Sequence, residues 1–460
     1  MFQVFRESFL IILILISKNL SLKYPLISQV EKFKNEKSKK NLRKLNTTTL
    51  HSYDELYSTL SIPLCIGIPK QCFNLIYDTG EMYLIVSSPP LKNTNPFTKY
   101  FNATASETST SNINNYITIS YRNGGMQTRE ISDYIFLSEK RPSFTFSFLL
   151  SWQTNVNYNF DGILGLGFLY PERLEGNSFD LRFSFIDYLK KNNLIKNKIF
   201  GHEYYNRTHG TFYIDEIPPS MGDNYYKCKV ETFIPFVTKW HCEMRSVSFS
   251  TGENFTDIHS PVAFSTGYID VRGPFNEGSI IFDTLIKYSN GKCAIVDYSI
   301  NNDRYSKIIC DYNLNVKNIP NVVFNVKGFE LVLKNDDLFR LVSMNGVNKY
   351  ICKIIIDTRY NYWNLGEAVL KNYNMVFNYD DKTIGFKENI NLIGESWITT
   401  IMLSCLLITV CSFAIWIYKN RKRLFLKEVK NEDFKDLESN EAFDSGKEME
   451  SNYESFEEKE

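Results

Sequence analysis

An apolar strand pattern that runs straight into a Thr-Gly turn occurs twice, and this repeat limits the fold more than any other feature. FNLIYDTG ends in Asp78-Thr79-Gly80, and VAFSTG ends in Ser265-Thr266-Gly267. Gly80 and Gly267 allow the sharp backbone turn that must follow each strand. Around both motifs lie short alternating apolar runs: LYSTLSIPLCIGI, NYITISYRN, SDYIFLSE and FTFSFLL in the first half, and KCKVETFIPFV, KWHCEMRSVSF, NVVFNVKGFELVL and KYICKIIID in the second. Such alternation, with Gly, Pro and Asn as punctuation, predicts strands. The 35 Phe and 29 Tyr agree, since aromatic side chains favour sheets. One helix is predicted at Ser184–Leu194, where apolar residues fall at helical spacing. The expected fold is all-β, in two similar halves.

The ends of the chain carry targeting patterns. Phe9–Ile16 is an apolar core behind Arg6. It is too short to span a bilayer and reads as a secretory signal peptide, residues 1–22. Trp397–Tyr418 is an uncharged apolar run of 22 residues, about 33 Å as a helix, which matches a hydrocarbon core. Trp397, Trp416 and Tyr418 sit at its ends, and Lys419–Arg423 follows as a basic stop. The positive-inside rule places residues 419–460, an acidic and polar tail, in the cytoplasm. The expectation is therefore a single-pass type I protein of the secretory pathway or cell surface, with its main domain lumenal or extracellular. The formal net charge is zero, so no nucleic-acid partner is expected.

Four Asn-x-Thr glycosylation acceptors begin at Asn46, Asn102, Asn206 and Asn254, all before the span. In the tail, Tyr453-Glu454-Ser455-Phe456 fits the tyrosine-x-x-bulky-apolar pattern that endocytic sorting adaptors read; Tyr453 and Phe456 are its anchors. Seven cysteines precede the span. Cys65 and Cys72 flank a tight turn and can pair across a hairpin, and Cys228 and Cys242 can do likewise. The odd count leaves at least one thiol free or paired between molecules. No cysteine has zinc-like spacing and only five His exist, so neither metal nor cofactor is expected.

Six landmarks in chain order resemble the pepsin-like aspartic proteases, over about Leu56 to Phe386. LSIPLCIGIPKQCFNLIYDTG resembles the opening hairpin and first catalytic strand. YRNGGMQTREISDYI resembles the flap, which makes Tyr121 the flap tyrosine. FDGILGLG (Phe160–Gly167) is the most specific match. VAFSTGYIDVRGP resembles the second catalytic loop. Cys310 and Cys352 fall where the family has its C-terminal-lobe disulfide. NLGEAVLKNYNMVFNYDDKTIGF resembles the closing segment. The resemblance implies a bilobal all-β fold with a cleft between lobes, followed by one C-terminal transmembrane helix. The lobes would be residues 51–225 and 226–390, the span 397–418. Residues 23–50, rich in Lys, would be a basic prosegment that pairs with the active-site acids; a solvated linker is the alternative reading.

The family's reaction needs two carboxyl groups that share a proton. One ionised carboxylate takes a proton from water, and its protonated partner polarises the scissile carbonyl. Asp78 supplies the first, and Ser265 stands where the second should be. Serine cannot hold the shared proton as a carboxyl does. Thr79 and Thr266 would brace the two loops. Glu81 and Tyr268 replace the Ser or Thr that usually follows each motif, and Glu81 is expected to raise one carboxyl pKa. Arg122 replaces a flap glycine, and Asn364 replaces an apolar residue before Leu365-Gly366. Asp270, Asp283 and Glu81 are the candidate substitute acids, none well placed. The expected function is a catalytically impaired homologue that binds peptide or protein segments in its cleft. An active endopeptidase that uses Asp78, and a membrane receptor or structural protein with an idle cleft, are the alternatives.

Overall fold

The computed structural model describes residues 47–52, 60–89, 99–121, 124–137, 143–154, 161–168, 184–205, 209–231, 239–252, 254–300, 303–344, 346–358, 360–389, 404–406, 408–417 and 420. The N-terminal apolar run, Asn46, Asn206, Tyr453 and Phe456 lie outside these residues, as do the side chains of Tyr121 and Asn254. Residues up to Asn389 form one unit and those from Ile390 another.

Alternation builds the first half as the sequence predicts. In the strand Leu60–Ile66, Leu60, Ile62, Leu64 and Ile66 are all buried. In Gln71–Asp78, Phe73, Leu75 and Tyr77 enter the same core. The two strands pair antiparallel, with Cys65 opposite Cys72, and these cysteines form a disulfide. The motif strand then runs parallel to Gly162–Gly165, with Asp78 level with Gly165. Buried Asp161, next to that strand, accepts the Asn74 and Lys99 backbone N–H groups at 2.8 Å each. It pins the motif strand in place. Gly165 must lack a side chain, since a Cβ there would lie 2.4 Å from the Met82 backbone.

The second half repeats this device. Asn254–Phe264 runs parallel to Trp363–Leu365, with Phe264 level with Leu365. A third strand completes each copy: Leu84–Ser87 lies antiparallel to Gly162–Gly165, and Val271–Pro274 antiparallel to Trp363–Leu365. Each third strand also pairs in parallel with a long one, Phe144–Thr154 in the first half and Val347–Asp357 in the second. The architecture is all-β and bilobal, with helices few. The predicted helix forms at Phe185–Lys191. A longer one, Phe275–Tyr288, directly follows the strand Val271–Pro274.

The halves are joined through the first sheet, which has 13 strands among the described residues. Tyr226–Lys229 and the closing hairpin Tyr373–Asn378 and Thr383–Glu388 belong to it, through pairing with Ile199–Tyr204. The expected cut at 225/226 therefore follows the chain and not the sheets. The expected limit at residue 50 falls inside the strand Thr47–Ser52, which pairs with His209–Ile214. Beneath the motifs an aromatic cluster ties both halves. Phe168 stacks on Tyr379 at 5.2 Å, Phe200 on Phe377 at 4.9 Å, and Trp240 meets Phe168 and Tyr379 edge-on at 4.7 Å each. Each such pair contributes about 0.5–1.5 kcal/mol beyond burial.

One expected disulfide is corrected. Cys310 bonds to Cys293, and Cys352 is a buried free thiol. The reason is register: Cys293 lies directly across from Cys310 in one hairpin, whereas Cys310 faces Tyr350 and Cys352 faces Phe339. Cys228 bonds to Cys242. Disulfides fit an oxidising compartment. In the second unit, residues 408–417 are helical and expose Val410, Phe413 and Ile415. Among the described residues no helix is long and apolar enough to cross a membrane.

Candidate functional site

The two Thr-Gly turns meet at a reciprocal brace. Thr79 N–H donates to Thr266 Oγ1 at 3.1 Å, and Thr266 N–H donates to Thr79 Oγ1 at 3.2 Å. Each hydroxyl then donates onward across the junction, Thr79 to the Phe264 carbonyl at 2.8 Å and Thr266 to the Tyr77 carbonyl at 2.7 Å. Both threonines are buried. Orphaning either group of such a pair costs about 1–3 kcal/mol, so the brace fixes the loops whatever chemistry they carry.

Asp78 sits at the end of the first strand, almost buried, at 8% exposure. Gly80 N–H donates to its Oδ1 at 2.7 Å. Its other side lies against Gly267, where a Cβ would come within 2.3 Å of the carboxyl, so only glycine fits. Burial raises the Asp78 carboxyl above its ordinary range. The Gly80 N–H, the Lys239 ammonium and the Gly267 N–H draw it partly back. The raise thus comes from burial. Glu81, expected to cause it, is engaged by its own loop: its Oε1 accepts the Met82 N–H at 2.7 Å and the Tyr83 N–H at 3.3 Å.

Opposite Asp78, Ser265 is fully buried and its hydroxyl donates to Asn364 Oδ1 at 2.7 Å. A hydroxyl has one proton to give. With that proton committed to Asn364, Ser265 Oγ faces the site as an acceptor. Asn364 is level with Ala263, as Ile163 is level with Ile76 in the other half. A polar residue thus stands where the other half has Ile163, and it meets the serine. Its Nδ2 has no hydrogen-bond partner.

The structure brings together Asp78, Thr79, Gly80, Ser265, Thr266 and Gly267. The candidate substitute acids go elsewhere. Asp283 is exposed on the helix Phe275–Tyr288. Asp270 acts on Arg272, Lys353 and Cys352. Tyr121 ends the strand Thr110–Tyr121, which turns into Gly124–Phe136 as a hairpin. Asn102 is exposed, with Oδ1 accepting the Thr104 N–H and hydroxyl. Lys239, missed in the sequence, reaches the site from the segment before Trp240. No periodicity marks it, because its place depends on the second half folding back. Among the described residues no His, Cys, Asp and Glu cluster is suited to a metal.

The family model for eukaryotic aspartyl proteases matches residues 60–389. The chain belongs to the eukaryotic aspartyl protease family. This aspartyl protease homologue is 24% identical over 336 residues to pregnancy-associated glycoprotein 2 of Bos taurus, covering 70% of this chain and 80% of that one. It is 24% identical to cathepsin D of Dictyostelium discoideum, covering 70% and 81%. It is 23% identical to renin of Echis ocellatus, covering 70% and 78%.

Proposed function

We propose that this chain is a membrane-anchored, secretory-pathway member of the family that has lost the two-carboxylate reaction and binds extended peptide or protein segments between its lobes. The observation that carries this reading is the Ser265 hydroxyl, tied to Asn364 where the reaction needs a protonated acid. Asp78 can still take a proton, but Ser265 has none left to give to a scissile carbonyl. Loss of one acid–base partner costs about 10²–10⁴ in rate. The brace between Thr79 and Thr266 keeps the loops in shape, and an extended peptide is recognised mainly through its backbone groups. The exposed apolar side chains on residues 408–417 support an anchor in lipid. The acidic tail would then be available to sorting adaptors through Tyr453 and Phe456.

The full-length chain, purified in mild detergent, is assayed against a diverse peptide mixture from acidic to neutral pH. The expected result is retention of peptides without cleavage. Pepstatin-sensitive cleavage that disappears in Asp78→Ala overturns the reading. It would favour instead an endopeptidase that uses Asp78.

A further inference from the structure

Four exposed apolar side chains of the second half gather at the tip of one hairpin. Phe339–Met344 and Val347–Asp357 pair antiparallel, with Met344 directly opposite Val347 and Leu341 opposite Tyr350. Leu341 and Val347 are each 52% exposed, and Met344 is 41% exposed. On the other flank Asp311 is level with Lys349, so Tyr312, at 67% exposure, leaves its strand beside the same tip. Gly346 takes the turn at φ 78°, which suits glycine. A Cβ built there would meet nothing within 4 Å, so the turn projects clear of its surroundings.

Apolar side chains clustered on a free edge mark a surface that something covers. Among the described residues Phe339–Met344 pairs on one side only. The carboxylate beside the tip, Asp311, is held by Lys349 at 2.7 Å. The base of the hairpin lies where the unit ends. Asp337, two residues before Phe339, accepts from Asn372 Nδ2 at 3.4 Å, and the Asn372 carbonyl accepts the Asn389 N–H at 2.9 Å. Lys334 Nζ lies 4.0 Å from Glu388 Oε1 in the last strand. Residues 390–396 separate Asn389 from the uncharged apolar run Trp397–Tyr418. That stretch reaches at most about 25–30 Å. The strand from the hairpin's base to its tip covers about 20 Å. A bilayer that takes up the apolar run therefore lies within reach of the tip. A second copy pairing edge to edge is the competing occupant. The tether favours lipid, since it keeps the bilayer near at any protein concentration.

We propose that the tip of this hairpin, Leu341, Met344 and Val347 with Tyr312 at its side, dips into the surface of the bilayer that anchors the chain. This rests on the membrane-anchored reading above and adds a second contact with lipid. The three aliphatic side chains take the acyl side of the interface. The Tyr312 ring, apolar with a polar end, suits the headgroup level. Two points of attachment fix the tilt of the β unit on the membrane, which a single tether does not.

The test uses the full-length chain with Cys405→Ser and Cys411→Ser, which leaves buried Cys352 as the one native thiol. Met344→Cys or Val347→Cys then carries an environment-sensitive dye. Lys191→Cys, at an exposed position on the helix Phe185–Lys191 of the first half, is the control. Each labelled chain is reconstituted in vesicles whose lipids bear a quencher at the headgroup–acyl boundary. The dye at 344 or 347 should be quenched severalfold more than the dye at 191, and its emission should shift to the blue. Leu341→Asp with Tyr312→Asp should remove the difference and leave the denaturation midpoint near that of the parent, since both side chains are exposed. Quenching at 344 and 347 no greater than at 191 overturns the inference while the anchor stands. Shielding that grows with the protein-to-lipid ratio does the same and makes a second copy the occupant. Release of the chain from the vesicles by a high-pH wash refutes the anchor, and this contact with it.

Discussion

At the residue scale, Ser265 and Asn364 act as one. The Ser265 hydroxyl donates to Asn364 Oδ1 at 2.7 Å, and on the reading proposed above that proton is not available to a scissile carbonyl. Ser265→Asp should therefore restore more than a charge. The new carboxyl would face Asp78 across the braced loops, where two like charges cannot both ionise and one proton must be shared. The Asn364 amide, its Nδ2 now without a partner, would be free to donate to it. Pepstatin-sensitive peptide hydrolysis is expected to rise from near background by at least about 10²-fold, measured by fluorogenic turnover at acidic pH. A gain of only a few-fold would mean that Asp78 already works with another acid, and the impairment argument would fail.

At the element scale, the exposed hairpin Cys293–Ile300 and Asp303–Asp311 is held at its open end by Cys293–Cys310. The sequence separation is 17 residues, so the cross-link stabilises by about 3 kcal/mol on the chain-entropy account. Cys293→Ser with Cys310→Ser should lower the denaturation midpoint accordingly. Non-reducing peptide mapping should recover Cys293–Cys310, and alkylation after unfolding without reductant should label Cys352 as the one thiol of the seven before the apolar run. Recovery of a Cys310–Cys352 peptide would refute the register. The same hairpin shows where the sequence stops being readable. Strands such as Leu60–Ile66 announce themselves because every second side chain is buried, and the motif loops do so because strand, turn and glycine lie together in the chain. In the strand Cys293–Ile300 Cys293 is the one buried residue among those described, so no alternation marks that strand, and a disulfide partner is chosen by register that the sequence does not print. Asp78 and Ser265 were legible for the same local reason. Lys239 was not, because the second half must fold back to bring it to Asp78.

At the scale of the whole molecule, buried ionisable groups set a stability optimum. Glu367 begins the short helix Glu367–Leu370, and its N–H donates to the Tyr268 carbonyl at 2.7 Å. Its carboxyl is buried with neither oxygen hydrogen-bonded. Burial raises its pKa from 4.5 to about 8, although Lys371 and Lys353 pull it down. Lys371 is itself held by Asp337 at 2.5 Å. A raised carboxyl favours the protonated fold, so its contribution is complete below pH 4.5 and is lost as pH rises towards 8. Asp78, raised in the same way, acts in the same direction above its ordinary 3.8. His202 and His241 act oppositely. Burial lowers each from 6.5 to about 3, with Lys239 assisting at His241. The unfolded chain therefore binds two more protons as pH falls below 6.5, which destabilises the fold. Between pH 6.5 and 8 Glu367 acts without them, at up to about 1.4 kcal/mol per pH unit; below 6.5 the two histidines outweigh it. Stability should peak near pH 6.5 and fall on both sides. Denaturant midpoints across pH 4–8.5 check this, a span of roughly the stated window. Glu367→Gln should flatten the alkaline limb and leave the acid limb, while His241→Asn should weaken the acid limb and leave the alkaline one. A profile that rises steadily to pH 8, or an alkaline limb unchanged in Glu367→Gln, would show that Glu367 is ionised in the folded chain and paired by the lysines beside it.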